Sequence, residues 1–154
     1  KGTEAFNKSV SLLYCIIIYL SLLQSIAMTV LAYPIIYIMN GADFIPSVPI
    51  LRLCVWFTTF SYMGAVRDVW ILSEGKQKYL WRINLFGAVL NIVLNAIFIP
   101  LWGEMGAAGA SVITQFFTNV VTGIILKPLR ENNKLIISGL NPVLIKNFLK
   151  NKNN

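Results

Sequence analysis

From Val10 to Met39 the chain carries no Asp, Glu, Lys or Arg, and this long apolar run constrains the fold more than any other feature. A helix needs about 20 such residues to cross the hydrocarbon core of a bilayer, where its backbone polar groups bond within the segment. Three further apolar runs follow, from about Ser47 to Leu72, Tyr79 to Ile99 and Met105 to Leu126. Composition agrees: 56% hydrophobic residues, 12% charged residues and a mean hydropathy of +0.68 lie far from what soluble domains show. The pattern predicts an all-α, polytopic transmembrane helix bundle of about four spanning helices in one unit.

Turn signals set the expected boundaries. Residues 1–9 form a cytoplasmic lead-in, residues 10–128 the membrane part with spans at about 10–39, 47–72, 79–99 and 105–126, and residues 129–154 a basic tail. Pro34 marks a kink or end in the first span, Pro46 precedes the second and Pro100 stops the third. The stretch from Leu135 to Leu149, broken by Gly139 and Pro142, is too short to span and reads as an interfacial helix or a tail. A first residue of Lys1 rather than Met leads us to expect a piece of a longer protein.

Basic residues orient these spans. Lys1 and Lys8 precede the first; Lys76, Lys78 and Arg82 join the second and third; Lys127, Arg130, Lys134, Lys146, Lys150 and Lys152 follow the fourth. The intervening loops, Asn40 to Pro46 and Leu101 to Glu104, contain no Lys or Arg, so the positive-inside rule places both ends in the cytoplasm. The net charge of +7 is thus a topology signal, with anionic membrane lipids as the nearer partners and no nucleic acid expected. Cys15 and Cys54 lie in apolar runs, there is no histidine, and neither paired acids nor a metal-binding cluster is seen. No cofactor, metal site or catalytic centre is expected, and the chain does not read as an enzyme.

Polar side chains recur at helical spacing inside the spans: Ser21, Gln24, Ser25, Met28 and Thr29 in the first; Asn84, Gly87, Asn91 and Asn95 in the third; Ser111, Gln115, Thr118, Asn119 and Thr122 in the fourth. One such strip is accounted for by interhelical hydrogen bonds; three together suit a shared aqueous cavity. Gln24, Asn84, Asn91, Asn95, Gln115 and Asn119 are its candidate lining. Gly106, Gly109 and Ala110 would let a neighbouring backbone approach closely. Intramembrane charges are few. Arg52 either snorkels to the outer interface or lines the cavity; Arg67 and Asp68 pair locally, anchor the inner interface or form part of an anion site. Arg52 and Arg67 are the candidate anion-binding residues, because a guanidinium binds phosphate oxygens bidentately and keeps its charge. Tyr33, Tyr37, Trp70, Tyr79, Trp81 and Trp102 lie near span ends and read as an interfacial belt.

Two runs, NGADFIPSVPILRL and ILSEGKQKYLWRINLFGAVLNIVLNAIFIPLWGEMGAAGASVITQ, carry a family likeness, as does the terminal FFTNVVTGIILKPLRENNKLIISGLNP. Four motifs in order bear it: G-x-x-F-x-x-x-x-P-x-L-R from Gly41 to Arg52, G-x-Q-K at Gly75 to Lys78, N-x-x-x-N-x-x-x-I-P closing the third span, and G-x-x-G-A-A-G-A after it. The chain, over about Val10 to Pro142, resembles the C-terminal part of bacterial polysaccharide flippases, the O-antigen and capsule exporters of the multidrug/oligosaccharidyl-lipid/polysaccharide exporter superfamily. The resemblance implies two six-helix lobes around a central cavity in the bacterial inner membrane, this chain supplying the last four helices of the second lobe and the rest of the same chain being its partner. It also implies alternating-access transfer of undecaprenyl-diphosphate-linked oligosaccharide, an O-antigen or capsular repeat unit, to the outer leaflet. The competing readings are a cation-coupled multidrug exporter of the same superfamily, which usually relies on membrane-embedded carboxylates where this chain has only Asp68, and a non-transporting integral membrane subunit.

Overall fold

The computed structural model describes residues 4–145, and these are predominantly helical with no strand among them. Three helices are long and apolar enough to cross a membrane, at Glu4–Asn40, Ala42–Ser73 and Lys78–Ile125. The first is α1, Glu4–Asn40. A 3₁₀ segment, Ala42–Ser47, leads from Gly41 (φ 89°) into α2, Val48–Ser73, with Pro49 in its first turn, where a proline loses no helical hydrogen bond. The Glu74–Gln77 turn, with Gly75 at φ 66°, connects α2 to α3, Lys78–Phe116.

Helix α3 changes direction within its length. Gly103 has φ 57° and ψ −134°, a region open essentially to glycine, and the chain reverses there. Contacts run across the reversal in antiparallel register: Asn91 with Thr114, Gly87 against Thr118 and Gly106 against Phe98. The third long segment is therefore a hairpin with a first arm, 78–102, and a second arm from 104. The second arm passes through a π-helical turn, Phe117–Val121, into α4, Thr122–Ile125. A short 3₁₀ segment, Lys127–Leu129, then leads to α5, Arg130–Gly139.

Several boundaries differ from those read in the sequence. Pro34 lies inside α1 and Pro100 inside α3, neither ending its helix. A proline removes one backbone bond, and the intact ladder on either side carries these long apolar helices through it. Glycine, not proline, turns the third segment. The expected lead-in is helical from Glu4 onward.

Helix α1 pairs with α2 through small hydroxyls. Ser25 Oγ donates to the Val55 carbonyl at 2.9 Å and lies 3.0 Å from Thr59 Oγ1, while Thr59 Oγ1 reaches the Ser21 carbonyl at 3.5 Å. The hydrophobic core gathers at the end where the α2–α3 turn and α5 meet, around Tyr14, Ile18, Val66, Trp70, Ile71, Ile83, Leu129 and Ile136. Trp70, expected in an interfacial belt, is 1% exposed and belongs to this core, with Lys76 Nζ 4.3 Å from its ring centroid. Tyr33, Tyr37, Trp81 and Trp102 remain exposed. Lys76 also donates to the Pro128 carbonyl at 3.2 Å and lies 3.8 Å from Glu74 and 3.7 Å from Glu131, tying the turn to the segment that precedes α5.

Helix α5 is docked rather than free. Asn132, Ile136 and Gly139 are buried at spacings of four and three, forming one stripe against α1. Tyr14 donates to Asn132 Oδ1 at 2.8 Å, and a Cβ on Gly139 would lie 2.7 Å from Tyr14 Cβ. The interfacial stretch expected at Leu135 to Leu149 thus begins earlier and packs on the bundle. Its part beyond Ile145, together with Lys1, Lys146, Lys150 and Lys152, lies outside the described residues.

Candidate functional site

Two polar stripes face one another across the α3 hairpin. Asn84, Gly87, Ala88 and Asn91 come from the first arm; Ser111, Thr114, Gln115 and Thr118 come from the second. Each set repeats at three and four residues, so each lies on one helical face. With Phe57 of α2 they line a groove of about 330 Å³. Gly87 permits the close approach, since a Cβ there would sit 3.0 Å from Thr118 Oγ1. Asn91 Nδ2 donates to Thr114 Oγ1 at 3.2 Å and Asn91 Oδ1 accepts from Asn95 Nδ2 at 2.8 Å.

The groove lining contains amides and hydroxyls but no charged side chain. Its chemistry is that of paired donors and acceptors, suited to neutral polar groups. Of the six residues expected to line a shared cavity, Asn84, Asn91 and Gln115 lie along this groove between the hairpin arms. Asn95 lies one turn further along the first arm, its Oδ1 buried and without a partner among the described residues. Gln24 is exposed on α1, away from the groove, because the hydroxyl strip of that helix is used in pairing with α2. Asn119 is buried behind the groove and bonds to α2.

That arrangement centres on Arg67, which is 3% exposed. Its Nη1 donates to the Thr118 carbonyl and to Asn119 Oδ1, both at 2.8 Å. Nε and Nη2 donate to Asp68 Oδ1 at 3.0 and 2.7 Å. Asn119 in turn donates to the Phe60 carbonyl at 2.9 Å and to Gln115 Oε1 at 2.6 Å, so a continuous chain of bonds links the groove wall to the guanidinium. The π-helical turn Phe117–Val121 spans Thr118 and Asn119, both of which Arg67 engages. Insertions of this kind interrupt the regular ladder and are frequent at functional positions. Gly64 makes room for Asn119, since a Cβ there would lie 2.5 Å from Asn119 Oδ1.

Arg67 and Arg52 therefore differ in kind. Arg67 is held by four donated bonds within the fold. Arg52 is exposed near the start of α2, its Nε donating to the Thr29 carbonyl at 3.1 Å, and it forms no ion pair among the described residues. The two do not converge on one site: Arg52 reaches α1 and Arg67 reaches the π-helical turn.

The expected packing glycines also separate. A Cβ on Gly106 would fall 2.1 Å from the Phe98 carbonyl oxygen, whereas one on Gly109 would meet only Leu53 and Phe98 side-chain carbons at 3.9 and 4.0 Å. Sequence reading missed Phe57 and the role of Thr114. The spacing of Thr114 from Ser111 and Thr118 was legible, but its partner Asn91 was not. Comparison with models of protein families, with curated proteins and with solved structures finds no match to this chain.

Proposed function

We propose that this chain is part of a bacterial inner-membrane transporter that moves an undecaprenyl-diphosphate-linked oligosaccharide from the inner to the outer leaflet. In this reading α1, α2 and the two arms of the α3 hairpin are four spans of the second lobe, with both ends cytoplasmic. The resemblance over about Val10 to Pro142 supports it, and one observation carries it: the uncharged polar groove between the hairpin arms, in the middle of apolar helices. Amides and hydroxyls there offer both donors and acceptors to sugar hydroxyls.

Topology is tested by cysteine labelling in a variant lacking Cys15 and Cys54. Cysteine at Gln77 is expected to react only with reagent supplied from the cytoplasm and cysteine at Asp43 only from outside; reaction of both from one side rejects the four-span arrangement. Function is tested in a strain deleted for the intact gene. Deletion is expected to abolish surface polysaccharide and leave lipid-linked oligosaccharide in the inner leaflet. Complementation by Asn91→Leu or Gln115→Leu is expected to restore about a tenth of the wild-type level at equal membrane abundance, the effect of one lost hydrogen-bonding pair. Normal polysaccharide on deletion, with raised drug sensitivity instead, would select the multidrug exporter.

A further inference from the structure

On the other side of the hairpin, at its basic end, lies a second and chemically opposite cavity. It has a volume of about 160 Å³ and is lined by Arg82, Ile83, Phe86, Thr122, Ile125 and Leu126. Four of these are hydrocarbon or aromatic, and Thr122 turns its hydroxyl inward to the Thr118 carbonyl, so the wall is apolar. One charged group stands at the cavity, the guanidinium of Arg82. No carboxylate holds it: among the described residues it forms no hydrogen bond or ion pair, and it rests 5.8 Å from the Tyr79 ring and 5.7 Å from the Trp81 ring. Arg130 is brought to the same end by its Nε, which donates to the Ile124 carbonyl at 3.2 Å, one residue from the wall position Ile125. Lys127 follows Leu126 directly in the chain. Glu131, the nearest acid in sequence, lies 3.7 Å from Lys76.

An apolar slot beside cations that lack an acidic partner, edged by exposed Trp81, is complementary to a molecule with a hydrocarbon tail and an anionic head. Trp81 itself is 58% exposed, as suits a ring at the level of lipid headgroups. We infer that this slot is a binding site for an anionic glycerophospholipid, one acyl chain lying against Ile83, Phe86, Ile125 and Leu126 and the phosphate between Arg82 and Arg130. Clusters of cations between helices at a membrane face bind such headgroups, and each contributes about fivefold in affinity. The site rests on the membrane placement of the chain and not on what the chain transports: it lies on another face of the hairpin from the amide-lined groove.

The test is native mass spectrometry of the intact protein in detergent, titrated with phosphatidylglycerol or phosphatidylcholine bearing the same acyl chains. Wild-type protein is expected to retain phosphatidylglycerol at least tenfold more strongly. Arg82→Ala is expected to reduce that preference about fivefold, and Arg82→Ala with Arg130→Ala to abolish it. Because both arginines are exposed, the melting temperature serves as a check that these variants remain folded. Ile125→Trp, which fills the slot from an exposed position, is expected to weaken both lipids alike. Equal retention of the two lipids by wild type, an undiminished preference in the double arginine variant, or equally strong competition by soluble glycerol phosphate would each overturn the inference. A loss of transport with lipid binding intact would count against the proposed substrate and leave this site standing.

Discussion

Arg67→Ala is expected to deplete folded protein from the membrane, whereas Arg52→Ala leaves its amount unchanged and lowers surface polysaccharide. The contrast follows from where each guanidinium bonds. Removing Arg67 strands Asn119 Oδ1 in a buried position, leaves the Thr118 carbonyl with only its bond from Thr122 Oγ1, and deprives Asp68 of its partner. Hydrogen bonds to charged groups contribute about 1.5–3 kcal/mol each, and removing one member of a buried pair costs about 3–5 kcal/mol. The Asp68 side chain is 41% exposed, so part of that cost is recovered by solvent, and a loss of about 3 kcal/mol is the expected figure. Arg67→Lys keeps the charge but cannot span both Asp68 and the π-helical turn, and should fall between the two. Arg52, exposed and bonded through one nitrogen, contributes within about 0.5 kcal/mol to stability. Fluorescence-detected gel filtration and thermal melting of both variants in detergent give the comparison. Equal melting temperatures for wild type and Arg67→Ala would show that the buried network is dispensable; normal polysaccharide with Arg52→Ala would remove it as an anion-binding residue.

The second large effect is expected at Gly106. An alanine methyl there would lie 2.1 Å from the Phe98 carbonyl oxygen and 2.5 Å from its carbon, both backbone atoms of the opposing arm. No side-chain rotation relieves such a clash, so the hairpin must open, at a cost of about 3 kcal/mol or more. Gly109→Ala is the matched control: its methyl meets ordinary van der Waals contacts, and the higher helix propensity of alanine favours it by up to about 1 kcal/mol. Gly106→Ala is therefore expected to melt well below wild type and Gly109→Ala at or above it. A similar melting temperature for the pair would mean that the arms do not touch at Phe98.

Much of this arrangement was legible in the chain. Apolar length marked every long helix, and the spacing of Asn84 to Asn91 and of Ser111 to Thr118 marked the two faces that line the groove. These are local properties, set by rise per residue and by side-chain polarity. The third span was ended at Pro100, whereas the turn in the backbone falls at Gly103, because a proline is a breaker by rule and a positive φ is visible only in the folded backbone.

What the sequence determined by itself is the class of the molecule, since hydrocarbon-length apolar runs permit little but helices that bury their own backbone bonds. Tertiary structure alone decided which polar groups are spent and which are free. Arg52 and Arg67 are the same residue type at similar distances from the two ends of one helix, yet one is enclosed by Thr118 and Asn119 from far along the chain and the other is open. Gln24 and Asn91 are both mid-helix amides, but only one faces a second polar stripe. A side chain's availability depends on what packs against it, and packing joins residues whose separation in sequence leaves no local trace.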